Sequence, residues 1–183
     1  MGQKFCKFML KTLGWKAMDP PAPEKKCVIL GVPHTSIWDF AVSYFYYYSV
    51  GGTAKVMIKK EAFFWPLGPI LRRLGAVPID RKHPSKGMKD IITEMKEADE
   101  FHLAMCPEGT RKAVAKWKTG FHTIARETGA SVYIGYFNWG KKEIGRGEKF
   151  EISDNAIEDL KKIQEIYETM HLVGKNPKGY RTH

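Results

Sequence analysis

Short apolar runs that alternate with amphipathic helical stretches predict an α/β fold: one domain whose central sheet is largely parallel and flanked by helices. Besides that alternation, the length argues for a single unit. With 183 residues, 43% of them hydrophobic and 13% aromatic, the chain can bury one substantial core. No internal repeat or low-complexity block competes with this reading.

Residues 1–19 form an amphipathic amino-terminal segment. Phe5, Phe8, Met9 and Leu13 recur at helical spacing, Lys4, Lys7 and Lys11 stand between them, and Trp15 closes the run. Such a segment suits a bilayer surface and equally a groove on its own domain, and composition does not choose. Pro20-Pro21-Ala22-Pro23 then interrupts the chain.

The core is expected over 24–172. Strands are predicted at Cys27–Val32, Ala54–Ile58, Ala76–Ile79, Phe101–Cys106 and Ser131–Phe137, and helices at Ser36–Val50, Gly68–Leu74, Ser85–Ala98 and Thr119–Thr128. Lys141–Ile152 alternates around Gly145-Arg146-Gly147 and reads as a hairpin at the sheet edge, and Ala156–Met170 as a closing helix. The segment 174–183 is expected to be a loose tail.

The 30 basic and 20 acidic residues leave a formal net charge of +10, a field that attracts phosphate in nucleic acid, metabolites or anionic lipid alike. Cys6, Cys27 and Cys106 are odd in number and lack C-x-x-C spacing, so neither a disulfide framework nor a zinc cluster is indicated and a reducing cytoplasm is expected. Cys27 and Cys106 read as small buried hydrophobes. The longest uncharged stretch, Phe40–Ala54, is shorter than the roughly 20 apolar residues of a spanning helix. The amino-terminal apolar runs are too interrupted for a signal peptide, and Cys6 stands where myristoylation of Gly2 wants Ser or Thr.

Ligands of open α/β sheets bind beyond the carboxyl ends of the strands, so the loops there carry the chemistry. After the first core strand comes Pro33-His34-Thr35-Ser36-Ile37-Trp38-Asp39, in which a carboxylate one helical turn on can orient the imidazole and favour its protonated form when it takes a proton from a hydroxyl. Alone, H-x4-D is a weak signal. Ile79-Asp80-Arg81-Lys82 and Pro107-Glu108-Gly109-Thr110-Arg111-Lys112 follow two further strands. Guanidinium groups suit phosphate oxygens and Gly109 allows close backbone approach to an anion, although each loop by itself reads as a turn with a solvated charge.

Taken in order, His34-x4-Asp39, Gly75-Ala-Val-Pro-Ile-Asp80-Arg81, Pro107-Glu108-Gly109-Thr110-Arg111 and Trp117-Lys118-Thr119-Gly120 resemble the blocks of the glycerolipid acyltransferases typified by lysophosphatidic acid acyltransferase. The resemblance spans about Val28 to Phe137 and implies a glycerol-3-phosphate acyltransferase-like fold. It implies His34 as catalytic base with Asp39 as its partner, and Arg81, Glu108, Gly109, Thr110 and Arg111 at the acceptor phosphate, with Lys118 as a further contact. Glu108 repels phosphate and is expected to orient an arginine or a backbone turn. Pro33, Cys106 and Val132-Tyr133-Ile134-Gly135 depart from the family pattern, where asparagine, phenylalanine and prolines are common; these positions bear on the acceptor pocket.

The implied reaction moves a fatty acyl group from an acyl thioester, acyl-CoA or acyl-ACP, to the hydroxyl of a lysophosphatidate-like lipid in phospholipid biosynthesis. Another lysophospholipid or a lyso-amino-acid lipid is the alternative acceptor. No cofactor is expected beyond the co-substrate. Neither is a metal: His83, His102, His122, His171 and His183 show no ligand spacing, and without a G-x-S-x-G elbow Ser36 is not a nucleophile. Backbone N–H groups near the start of the His34 helix are candidates for oxyanion donors. Tyr44-Phe45-Tyr46-Tyr47-Tyr48 and Phe63-Phe64-Trp65-Pro66-Leu67 are candidate guides for acyl chains, with core packing the competing account.

The expected partners are the thioester donor, with acyl carrier protein one of its two carriers, the lysolipid, and an anionic membrane whose inner face the cytoplasmic protein would touch. Nucleic acid is not expected, since binding it would leave the strand-end motifs without a cause. A nucleotide loop is a second rival, because Gly135-Tyr-Phe-Asn-Trp-Gly140-Lys141-Lys142 nearly matches the phosphate-loop pattern, but Lys142 takes the place of Ser or Thr and a hairpin follows. A non-catalytic membrane-surface protein is the third.

Overall fold

The structure, a computed structural model, describes residues 2–80 and 82–182. Its elements are α1 (Gln3–Thr12), β1 (Lys16–Ala17), β2 (Lys26–Leu30), α2 (Trp38–Ser49), β3 (Lys55–Lys59), α3 (Leu67–Arg73), β4 (Ala76–Ile79), α4 (Pro84–Glu97) and β5 (Phe101–Met105), then α5 (Gly120–Thr128), β6 (Ser131–Tyr133), β7 (Tyr136–Asn138), β8 (Glu143–Gly145), β9 (Lys149–Phe150) and α6 (Ala156–Thr169). The described residues build a six-stranded sheet in the order β4-β3-β5-β2-β6-β9, parallel except for β9 at one edge.

Central β2 explains the layering. Its side chains alternate between faces: Val28 and Leu30 enter a core with Leu103, Phe121, Ile124, Ile163 and Tyr167 beneath α4, α5 and α6, whereas Cys27 and Ile29 meet Leu10, Val42, Tyr46, Tyr47 and Phe137 on the α1–α2 side. Helix ends follow local chemistry. Pro84 opens α4, Gly129 ends α5 in the left-handed region at φ +68°, and the Asn155 side chain accepts the N–H groups of Ile157 and Glu158 at the start of α6. Helix α1 packs along α2, burying Cys6 and Leu10 while leaving Phe5 and Phe8 exposed.

Three expectations are corrected. The strand predicted over 131–137 is two strands in different sheets: at Gly135 the backbone passes so close to Leu30 that an added Cβ would lie 2.4 Å from its carbonyl oxygen, and beyond it β7 joins β8 and β1 in a separate three-stranded sheet. The hairpin predicted around Gly145-Arg146-Gly147 closes earlier, between β7 and β8, while the glycine pair leads from the small sheet to β9. Nor is the carboxyl-terminal segment loose where Asn176 meets the Thr35 loop. Asn176 donates its main-chain N–H to Thr35 Oγ1 at 3.2 Å and its side-chain amide to Thr35 O at 2.8 Å, because the buried Thr35 loop offers it unmet polar groups.

Candidate active site

In the β2–β5 pairing Leu30 stands opposite Met105, so the loops that follow these strands leave the sheet side by side. One carries His34 and the other Glu108. The Glu108 carboxylate is 4% exposed and accepts the His34 main-chain N–H at 2.7 Å, fastening one loop to the other. Burial pushes Glu108 up to about 7, against the pull of the His34 N–H and the His34 charge.

Asp39 lies in the first turn of α2 and is 1% exposed. Such a buried carboxylate must be satisfied throughout, and it is. Oδ2 accepts the N–H groups of Thr35 and Ser36, both at 2.8 Å, and Oδ1 accepts the Trp139 indole N–H at 2.8 Å. His34 Nδ1 sits 3.3 Å from Oδ2, at ion-pair distance but outside hydrogen-bond geometry. Catalytic contacts often stand slack in this way until substrate arrives. Burial works against the imidazolium of His34, but neighbouring Cys106 and Asp39 outweigh it and raise His34 to about 10.

A cavity of about 790 Å³ opens at this edge of the sheet. His34, Cys106, Gly109, Arg111 and Lys118 share its lining with apolar groups of α2 and β3 such as Phe40, Tyr44, Tyr47, Val56 and Ile58. Gly109 has φ +65°, and Lys118 lies across it, its Cε 2.9 Å from where a Cβ would stand. Only glycine fits this turn comfortably.

The sequence-predicted residues therefore divide. His34, Asp39, Gly109, Arg111 and Lys118 gather around one cavity. Glu108 belongs beneath it, where it orients a backbone turn and does not line the space; Thr110 faces its own loop, its Oγ1 accepting the Lys112 N–H at 3.3 Å. Arg81 and His183 lie outside the described residues; Arg81 follows β4, which occupies the far edge of the sheet with β3 between it and β5. Thr35 N and Ser36 N, candidate oxyanion donors, are already taken by Asp39. Cys106 corrects another expectation: Cys27 is fully buried, whereas Cys106 is half-buried and borders the cavity, because the strand ends one residue before it.

Sequence reasoning missed Trp139 altogether. It sits in the turn between β7 and β8, inside the stretch that mimics a phosphate loop, and nothing local marks it as a partner of a residue 100 positions away. The hydroxyls of Tyr46 and Tyr47 are tied to Asp19 O and to His102 Nδ1, so these rings are anchored in the wall of the cavity.

A buried carboxylate 3.3 Å from an imidazole, on an apolar cavity with cationic side chains beside it, is an arrangement that fits a transferase. A family model described as acyltransferase matches residues 19–134, well over half of the chain, and the protein belongs to that acyltransferase family. Among solved structures it is similar to the 1-acyl-sn-glycerophosphate (LPA) acyltransferase, PlsC, from Thermotoga maritima, with a TM-score of 0.61 at 18% identity over 94% of this chain and 80% of that one. At that identity the likeness establishes a shared fold. No curated protein sequence matches this chain.

Proposed function

We propose that the enzyme transfers a fatty acyl group from an acyl thioester to the free hydroxyl of a lysophosphatidate-like lipid at a membrane surface, in phospholipid biosynthesis. The observation that carries this is the His34–Asp39 pair at a cavity lined by Arg111, Lys118 and apolar side chains. With Nδ1 turned to Asp39, Nε2 takes the proton of the acceptor hydroxyl. The oxygen then attacks the thioester carbonyl, the C–S bond breaks, and the departing thiolate recovers the proton from the imidazolium. Arg111 and Lys118 hold the acceptor's phosphate, and Arg81 is assigned the same role from its motif alone. Glu108 and Thr110 shape the loop that presents Arg111.

The apolar wall between α2 and β3 receives the acyl chain. Ile37 and Trp38 at the start of α2, Phe64 and Trp65 before α3, and Phe5 and Phe8 on α1 are exposed, and the chain carries an excess of basic residues. These support a peripheral seat on the anionic inner face of a membrane. No helix among the described residues is long and apolar enough to cross one.

The test is a product assay by mass detection: purified protein, acyl-CoA and acyl-ACP donors, and a panel of lysophosphatidate, other lysophospholipids and a lyso-amino-acid lipid. Acylated lysophosphatidate as the dominant product, lost in His34→Ala, supports the reading. Full activity in His34→Ala would remove the base, and preference for a lysolipid without a phosphomonoester would replace the acceptor.

A further inference from the structure

Asp39 is held from behind by a residue that no motif block contains. The indole of Trp139 donates to Oδ1 at 2.8 Å, on the carboxylate oxygen opposite the one that faces His34. The half-buried indole is itself held by several contacts. Trp15 meets it edge-on with ring centroids 4.8 Å apart, its main-chain N–H donates to Val173 O at 2.8 Å, and the ammonium groups of Lys142 and Lys175 lie 4.8 and 4.7 Å from its ring centre. Lys175 also reaches the Trp38 ring at 5.1 Å, and the next residue, Asn176, holds Thr35, which in turn donates its N–H to Asp39. The carboxyl-terminal segment thus touches both the indole and the loop that grip the catalytic carboxylate.

We propose that Trp139 is a positioning residue for acyl transfer, acting on His34 through Asp39, and that residues 173–176 set it in place. The inference rests on His34 being the base. A buried carboxylate with one oxygen unbonded gains proton affinity, and it can turn toward the imidazole in ways that spoil the angle of proton transfer. The indole N–H prevents both. The charged and titratable groups that bear on the pair are His34 from the β2 loop, Cys106 and Glu108 from the β5 loop, and, across the indole, Lys142 and Lys175.

The experiment is Trp139→Phe, which keeps a ring against Trp15 and the two cations but removes the donor. Expected are a fall in kcat of roughly tenfold or more, an acceptor KM changed less than about twofold, and an acidic limb of the kcat profile displaced to higher pH, because the pair binds its proton more tightly. A kcat within twofold of the parent, or a loss of kcat with the limb unmoved, overturns the proposal, the second outcome marking a merely structural role. Should Trp139→Phe not fold, the parent enzyme with 15N-labelled indoles decides: one indole N–H resonance shifting along the acidic limb supports the proposal, and none shifting overturns it. His34→Ala measured alongside separates the two readings, since its activity fails only if His34 is the base, whatever Trp139 does.

Discussion

The Glu108 carboxylate lies directly under the His34 main chain, accepting its N–H at 2.7 Å from a site that is 4% exposed. Because burial raises this carboxyl to about 7, its ionised form is disfavoured in the folded state, and stability on this account falls as pH rises from the ordinary carboxylate range through 7. Glu108→Gln keeps an acceptor for the N–H and removes the charge, so its melting temperature at pH 8 should equal or exceed that of the parent. Glu108→Ala strands the N–H and should lose about 1–3 kcal/mol. Thermal unfolding at pH 5 and pH 8 checks both; a Gln variant less stable at pH 8 than at pH 5, relative to the parent, contradicts the assignment.

Gly109 predicts a different kind of loss. At φ +65° with Lys118 across it, Gly109→Ala strains the turn by about 1–2 kcal/mol and pushes the lysine aside. The acceptor KM should rise several-fold with a smaller change in the donor KM. Steady-state kinetics with both substrates varied would show it, and an unchanged acceptor KM would detach this turn from the phosphate.

Cys106 shares its cavity with His34, whereas Cys6 and Cys27 are fully buried. One equivalent of a small alkylating reagent should therefore label Cys106 and stop turnover, with saturating substrate giving protection; peptide mapping locates the label. The same residue sets a pH dependence. His34 accepts a proton only when neutral, and with its proton affinity raised to about 10 the rate should climb with pH through the alkaline range. Cys106→Ala removes one cause of that rise, so the acidic limb of kcat/KM should move to lower pH. A limb that stays in place would show that Cys106 does not act on His34.

Trp65 is 85% exposed and Phe64 62%, on a loop whose side chains contribute little to the core. Replacing both by alanine should leave the melting temperature almost unchanged while weakening binding to anionic vesicles by roughly tenfold or more, given about 25 cal/mol per Å² of apolar surface withdrawn from the bilayer. Vesicle flotation is the measurement, and undiminished binding would place the membrane-facing surface elsewhere.

What the sequence made legible follows the range of the interactions involved. The parallel core was readable because β2 is apolar on both faces and each strand is followed by a helical period. The pairing of His34 with Asp39 was readable because one helical turn separates them. Glu108 was half readable: its charge suggested that it would orient an arginine or a backbone turn, but only the strand register revealed that it would meet the His34 backbone. Trp139 and the Asn176 contact are long-range, and no periodicity encodes them. The break at Gly135 was hidden too, since an apolar stretch reads the same whether it continues one sheet or leaves it for another.

The small sheet has a mechanical meaning for the amino terminus. β1 begins just after Trp15, pairs with β8, and through β7 and the following turn shares its footing with Trp139, against which Trp15 rests edge-on. Whatever α1 touches outside the protein, the residues that tether it are also bricks in the wall behind the Asp39 carboxylate. Cutting away 1–17 to obtain a more tractable enzyme would remove an outer strand and one face of that indole's socket, so the shortened protein should turn over more slowly.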